Sequence, residues 1–298
     1  MLRAENLVKK YKDITAVDDI SFSVNKGEIF GLLGPNGAGK TTTIRTILNI
    51  LKPDSGKITF NGTPLSEDYY NRVGYLPEDR GLYRKSKCLD VITYFCRMKN
   101  IPAKEARQMS AELMERLAIY DQRDRNIEAL SKGNQQKIQF IIAVVHNPEL
   151  LVLDEPFSGF DPINQELIAG EILRFRDEGK IIIISTHQME TAERLCTNLL
   201  LINKGREIYC GSLKELKNKH KRNNIKISFN NEASSLSSYP FLKDIKINGN
   251  NAEFELPDSV DPSEFIRDLS DKLELTSFYI SEPSLHSIFI DLISRKHN

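Results

Sequence analysis

The stretch Gly34-Pro35-Asn36-Gly37-Ala38-Gly39-Lys40-Thr41 carries the residue types that hold phosphate. It fits G-x-x-x-x-G-K-[ST], in which glycines let successive backbone N–H groups wrap the β- and γ-phosphates of a nucleotide. Lys40 supplies a mobile cation and the Thr41 hydroxyl can hold Mg²⁺; Thr42, the next residue, belongs to the same nucleotide-contacting set. A second candidate is Asp154-Glu155, at the end of the apolar run Leu150-Leu151-Val152-Leu153. Asp154 is placed to hold Mg²⁺ directly or through water, and Glu155 to accept a proton from an attacking water. Two solvated acids in a loop are the bland alternative; the apolar strand before them argues against it, because parallel sheets put their sites at strand ends. His187 follows another apolar strand, and on spacing alone two readings stay open: a structural histidine or a γ-phosphate contact. Tyr11 likewise reads as an edge-strand residue or as a face on which a purine stacks.

These groups need elements to position them. Glu28 to Leu33 reads as a short buried strand before the glycine-rich stretch, and Thr41 to Leu51 as a helix after it, with Ile44, Ile47 and Leu48 on one face. The partial positive charge of that helix N-terminus adds to the phosphate site. Leu2 to Tyr11 and Ile20 to Val24 read as strands of an antiparallel layer, the second bracketed by Asp18-Asp19 and Asn25-Lys26-Gly27. Lys57 to Phe60 and Arg72 to Leu76 are further strands; the latter ends in the polar loop Pro77-Glu78-Asp79-Arg80-Gly81, where α/β proteins place ligand groups. Leu89 to Leu117 has helical spacing broken at Ile101-Pro102, which marks two helices of an inserted subdomain, about 86–147. Ser131 is an N-cap candidate for the helix through Val145. Ser158-Gly159-Phe160-Asp161-Pro162 opens the next helix with Pro162 in its first turn. Lys180 to Ile184, Asn198 to Asn203 and Glu207 to Cys210 complete the strands of the first part.

The 298 residues allow one large domain and a smaller one. Lys and Arg total 41 and Asp and Glu total 41, so zero net charge gives no global pull toward nucleic acid or anionic lipid. Nucleic acid is accordingly not an expected partner. The longest apolar runs, Ile138 to Val145 and Ile181 to Ile184, fall far short of the roughly 20 residues of a membrane helix. Arg3 and Glu5 sit where a signal peptide would need apolar sequence, so none is expected. Cys88, Cys96, Cys196 and Cys210 have no metal-ligand spacing and read as buried thiols in a reducing cytosol. The basic stretch from Lys217 to Asn224 is a linker candidate, either solvated or touching lipid headgroups. Beyond it, Ile225/Ile227/Phe229, Ile245/Ile247 and Phe254/Leu256 alternate as half-buried strands do, and Asp261 to Leu273 and Pro283 to Ile293 read as helices. A tail of about 75 residues forms only a marginal core alone, because small domains bury a lower fraction of their surface.

Together these motifs resemble the ATP-binding subunit of ABC transporters over residues 1 to about 216. Gly34–Thr41 matches that family's Walker A loop and Leu150–Glu155 its Walker B strand. Leu130-Ser131-Lys132-Gly133-Asn134-Gln135-Gln136 resembles its signature Leu-Ser-Gly-Gly-Gln-Gln, 158–162 its D-loop, and His187 its switch histidine. Tyr11 falls at the family's adenine-stacking aromatic. Lys132 and Asn134 depart from the signature, and Phe160 from the usual Leu of the D-loop; Ser131 and Gly133, the phosphate-facing pair, are kept. Glu78 stands at the Q-loop glutamine, where it offers Mg²⁺ an oxygen but adds charge.

The resemblance implies a phosphate-loop ATPase of the α/β class. Its expected parts are a mostly parallel sheet, an antiparallel β layer, a helical subdomain and a small α+β C-terminal domain, divided as 1–219 and 223–298. It further implies ATP and Mg²⁺ as ligands, with Asp161 among the nucleotide contacts and Lys40, Glu155 and His187 as the catalytic set. The partners implied are separate transmembrane permease subunits, docked near Glu78 to Arg97, and a second ATP-binding subunit arranged head to tail, identical or not. Its place is then cytoplasmic, on the inner face of the cell membrane. Leu76-Pro77-Glu78-Asp79-Arg80-Gly81-Leu82-Tyr83 and the tail segment Glu282-Pro283-Ser284-Leu285 with Ile288-Phe289 resemble a prokaryotic exporter group that includes sodium-efflux and drug or peptide self-resistance cassettes. The resemblance does not choose a substrate. A cassette acting on ribosomes or DNA usually has paired cassettes or long coiled-coil inserts, and neither is present. A phosphate-loop kinase or GTPase is disfavoured by the signature and by the missing Asn-Lys-x-Asp guanine reader. The tail carries no phosphate loop and is expected to be non-catalytic: a dimer-contact or regulatory module, or a plain stabilising appendage.

Overall fold

The computed structural model describes residues 1–78, 81–220, 223–230, 236, 238–257, 259–281 and 283–295. Asp79-Arg80 of the polar loop, Lys221-Arg222 of the basic stretch and Glu282 lie outside them. The chain divides into two compact units, Met1–Leu213 and Lys214–Asn298.

The first unit contains β1 (Leu2–Tyr11), β2 (Ile14–Val24), β3 (Glu28–Leu33), α1 (Lys40–Ile47), β4 (Ser55–Phe60), β5 (Thr63–Pro64) and β6 (Val73–Leu76). It continues with α2 (Cys88–Arg97), α3 (Ala103–Arg116), α4 (Lys132–Val144), β7 (Leu150–Asp154), α5 (Pro162–Asp177), β8 (Ile181–Thr186), α6 (Met189–Leu195), β9 (Asn198–Asn203) and β10 (Arg206–Ser212). Ten strands form one sheet in the order β5-β4-β1-β2-β10-β9-β3-β8-β7-β6. From β9 to β6 the neighbours are all parallel; β5, β4, β1 and β2 pair antiparallel. Every residue of β3, β7 and β8 is buried, as their near-continuous apolar sequence requires of strands covered on both faces.

The expected α/β class and its layers are thus present. The strand expected from Ile20 instead starts at Ile14, because the chain crosses Asp18-Asp19 without stopping. Asp19 takes φ 54° and the register with β1 shifts through this stretch, so the acidic pair marks an irregular, bulged strand rather than a turn. The helix after the glycine loop ends early. Leu48 caps it and Asn49 follows with φ 55°, the left-handed exit that asparagine tolerates. The inserted helices α2 and α3 break at Pro102 as expected. Buried Lys137 of α4 donates Nζ to the carbonyl of Leu117, just past α3, at 2.9 Å, and Arg116 Nε of α3 donates to Glu171 of α5 at 3.1 Å.

In the second unit α7 (Leu213–Lys219) leads into β11 (Asn223–Phe229), β12 (Lys243–Asn248), β13 (Asn251–Leu256), α8 (Pro262–Ser270), β14 (Leu275–Ser281) and α9 (Leu285–Arg295). Its antiparallel sheet runs β12-β13-β11-β14. Ile225, Ile227, Phe254 and Leu256 pack with Phe265 and Leu269 of α8 in one core. Strand β14 was not expected from the sequence. Its pattern, Leu-Thr-Ser-Phe-Tyr-Ile-Ser, places two apolar residues side by side at Tyr279-Ile280, both exposed, and so lacks clean alternation.

His146, just past α4, is packed under β6 with Nε2 3.0 Å from the Val73 carbonyl, and burial pushes its pKa down from 6.5 to about 4. The native state therefore holds it neutral while the unfolded chain protonates it. This contribution is complete above pH 6.5 and is lost as pH falls toward 4, to the extent of up to about 3 kcal/mol. His146→Gln, which keeps an N–H donor and cannot titrate, is expected to flatten the acid side of a Tm-against-pH curve over that window.

Candidate functional site

The glycine-rich loop joins β3 to α1, and two of its glycines are demanded by neighbours rather than by the turn alone. Gly39, the residue before α1, has φ 110°, and a Cβ there would lie 2.3 Å from the Ala16 carbonyl. A Cβ on Gly34 would lie 2.2 Å from the Ile202 carbonyl. The loop is thus clasped between β2 and the end of β9, with Gly205 donating its N–H to the Ala38 carbonyl at 2.9 Å. Lys40 is only 7% exposed; its ammonium donates to the carbonyls of Gly34 at 2.7 Å and Pro35 at 3.2 Å. Burial lowers its pKa, against the charges of Glu155, Asp154 and Glu78, which raise it.

Parallel pairing of β7 with β8 sets Asp154 opposite Ser185. The Ser185 hydroxyl donates to Asp154, and Thr41 Oγ1 lies 3.5 Å from the other Asp154 oxygen. Burial raises the Asp154 pKa; the Ser185 hydrogen bond opposes that rise, and the charges of Glu78 and Glu155 add to it. The next residue, Glu155, turns off the strand with φ 47° and is 6% exposed. Its Oε1 accepts from the His187 backbone N–H at 3.0 Å and lies 2.7 Å from His187 Nδ1; its Oε2 accepts from Thr186 Oγ1 at 3.3 Å.

A cavity of about 500 Å³ brings most of the expected residues together. Asn36, Gly37, Ala38, Gly39, Lys40, Thr41 and Thr42 line it from the loop side, and Glu78, Asp154 and Glu155 from the strand ends. Gly34, Pro35 and His187 do not line it; the first two accept from the Lys40 ammonium and His187 contacts Glu155. Tyr11 does not line it: the ring is 44% exposed at the β1–β2 hairpin, with Lys9 Nζ 5.8 Å from its centre, and its strand partner Ile14 takes the place at the cavity wall. Ser131, Gly133 and Asp161 also lie outside the cavity. Ser131 caps α4, accepting from Asn134 N at 3.3 Å, and Gly133 is half-buried in the first turn. Asp161 caps α5, accepting from Asn164 N at 3.0 Å. Gln136 Nε2 donates to the Ser158 carbonyl at 2.7 Å and so ties the helix behind Ser131 to the loop before Asp161.

A glycine-rich loop, a strand-end Asp-Glu pair and a capped Leu-Ser-x-Gly helix belong to one unit, and comparison with known proteins decides the family. The "ABC transporter" family profile matches residues 17–158, and the "ATP-binding protein DrrA1-3-like, C-terminal domain" profile matches residues 211–293. An uncharacterized ABC transporter ATP-binding protein of Bacillus subtilis, YhaQ, is 40% identical over 98% of both chains. The chain belongs to the ABC transporter ATP-binding proteins. The linearmycin resistance ATP-binding protein LnrL of the same organism is 31% identical over 99% of both chains. A solved ATP-binding subunit of an ABC transporter superposes with a TM-score of 0.69 at 27% identity, over 74% of this chain and 93% of that one. The protein is therefore an ATP-binding, ATP-hydrolysing cassette of a family whose members dimerise and work with transmembrane components. Among its described residues no helix is long and apolar enough to cross a membrane.

Sequence reasoning missed part of the cassette's cavity wall: Ile14, Thr15 and Ala16 on β2, and Lys204-Gly205 after β9. Lys204-Gly205 carried a usable signal, a Lys-Gly turn at the end of a buried strand. The three β2 residues carried none, because they lie between the strands expected over Leu2 to Tyr11 and Ile20 to Val24. Gly39→Ala is expected to lower stability by about 1–3 kcal/mol and to weaken nucleotide binding, since both its φ and its contact with Ala16 are lost to a methyl group. Thermal unfolding and nucleotide titration of the same preparation check this.

Proposed function

We propose that this cassette powers export through separate transmembrane permease subunits, with Glu155 polarising the water that attacks the γ-phosphate of ATP. The observation that carries the catalytic reading is the Glu155 carboxylate at the end of β7. It lines the same cavity as Lys40 and Thr41 and lies 2.7 Å from His187 Nδ1. Water oxygen adds to the γ-phosphorus as the bond to the β-phosphate bridging oxygen breaks, giving ADP and phosphate, and Glu155 takes the proton. Lys40 leaves the carbonyls of its own loop for the phosphate oxygens, a stronger charge-assisted contact. His187 bridges Glu155 and the γ-phosphate.

Mg²⁺ fits the residues present. Thr41 and Asp154 offer hard oxygens 3.5 Å apart, and Glu78 lines the same cavity. Thr41, Asp154 and Glu78 would hold the ion, with nucleotide phosphate oxygens adding to their oxygens. When bound, the ion neutralises charge on the phosphates.

Export is favoured by end-to-end similarity to a drug-resistance ATP-binding protein. The second copy, identical or not, meets the first through Ser131, Gly133 and Asp161, which lie outside the protomer's own cavity. Tyr11, on the hairpin whose Ile14 lines the cavity, stacks on adenine. Permease subunits dock near Glu78 to Arg97, which places the cassette on the inner face of the cell membrane. The tail, 223–298, is non-catalytic and serves dimer contact or regulation beside the 1–219 ATPase domain.

Glu155→Gln is expected to keep ATP binding and to lose about 100-fold or more in turnover, while Lys40→Ala weakens binding itself. Phosphate release and nucleotide titration separate the two, and near-parental turnover by the Gln variant overturns the assignment. Glu78→Gln removes a charge beside the metal oxygens and is expected to shift the Mg²⁺ concentration for half-maximal activity upward. An unchanged Mg²⁺ titration counts against a metal role for Glu78.

A further inference from the structure

We propose that Thr186 is a positioning residue for hydrolysis, its hydroxyl setting the plane of the Glu155 carboxylate; this rests on Glu155 being the group that takes the proton. The inference comes from the register of two strands. Asp154 pairs with Ser185, so the next residues out, Glu155 and Thr186, emerge side by side at the same end of the sheet. Each hydroxyl serves the acid beside it: Ser185 donates to Asp154, and Thr186 to Glu155 Oε2. Consecutive hydroxyls of one strand thus brace consecutive carboxylates of its neighbour.

The direction of the Thr186 proton is decided locally. Its oxygen accepts from the Gln188 backbone N–H at 3.0 Å, and a hydroxyl has a single proton, so that proton is left for Glu155. The side chain is 2% exposed, and β-branching restricts its χ1. His187 grips the other carboxylate oxygen, but its side chain is 51% exposed and lies beyond the strand end. The His187 backbone N–H thus fixes one oxygen, and Thr186 is the buried side chain that holds the other and so sets the carboxylate plane. At 3.3 Å its bond is long for O–H···O, and a carboxylate oxygen accepts two hydrogen bonds. This hold orients Glu155 while remaining compatible with proton transfer from water. A Glu side chain otherwise samples several rotamers, few of which aim the carboxylate at the attacking water.

The test uses the full chain with Thr186→Val, Thr186→Ser and Thr186→Ala, with Glu155→Gln as reference. Valine keeps shape and removes the donor; serine keeps the donor. Expected are a kcat lowered about 10- to 100-fold in Val and Ala, a KM for ATP within about twofold of parent, and Ser within about threefold in kcat. Thermal midpoints and nucleotide titration establish that each variant is folded, and Ala replaces Val should Val not fold. Near-parental kcat in Val or Ala overturns the inference, as does equal loss in Ser and Val or a KM that rises in step with the fall in kcat. If Glu155→Gln itself keeps its rate, the reading of Glu155 fails first; if Glu155→Gln is inactive and Thr186→Val is not, only the role of Thr186 fails.

Discussion

Two carboxylates, Asp154 and Glu155, and one ammonium, Lys40, are held less than one-tenth exposed around a single cavity. Charges taken out of water are tolerated only when opposite charges and hydrogen bonds replace the solvent. The first unit supplies both. Lys40 lies in the field of the acids and donates to two loop carbonyls; Asp154 has Ser185, and Glu155 has Thr186 and His187. All three β8-end residues are consecutive, so the parallel pairing of β7 with β8 provides the compensation in one stroke. That pairing depends in turn on the apolar runs 150–153 and 181–184, which bury both faces of the two strands.

The phosphate loop is constrained from the opposite side. Contacts with Ala16 and Ile202 leave no room for a Cβ at Gly39 or Gly34, and Gly205 hydrogen-bonds to Ala38. The antiparallel part of the sheet therefore shapes the site as well as the core. Its strand β2 sets the loop's shape and provides a cavity wall, while β10, parallel to β2 through Arg206 and Asp18, carries the Lys204-Gly205 turn against it. The second unit follows a different economy. Strands β11, β13 and β14 with α8 enclose one small aromatic-rich core in which Phe265 meets Tyr239 and Phe254 edge-on, whereas Ile245 and Ile247 of the edge strand β12, expected to be half-buried, are exposed. Its match to a family of C-terminal domains marks it as a recurrent attachment to cassettes of this kind.

Sequence alone determined what is local. The loop motif, the Asp-Glu pair after an apolar run, the Ser131 cap, the helix start at Pro162 and the Pro102 break are each set by a handful of neighbouring residues, through backbone conformation, capping and strand burial. The layers of the first unit were legible for the same reason. What failed to be legible depends on residues far apart in the chain. The acidic pair at Asp18-Asp19 reads as the boundary of a strand until the bulged pairing with β1 carries the strand through it, and β14 declares itself only by pairing with β11. Ile14, Thr15 and Lys204-Gly205 became cavity walls because β2 and β10 meet, although their sequences hold no phosphate chemistry. Thr186 acquired a part in the site because β7 and β8 align in one register rather than a neighbouring one. Hydrogen bonds reach about 3 Å, so which hydroxyl serves which carboxylate is decided by strand register, and register is a property of the assembled sheet.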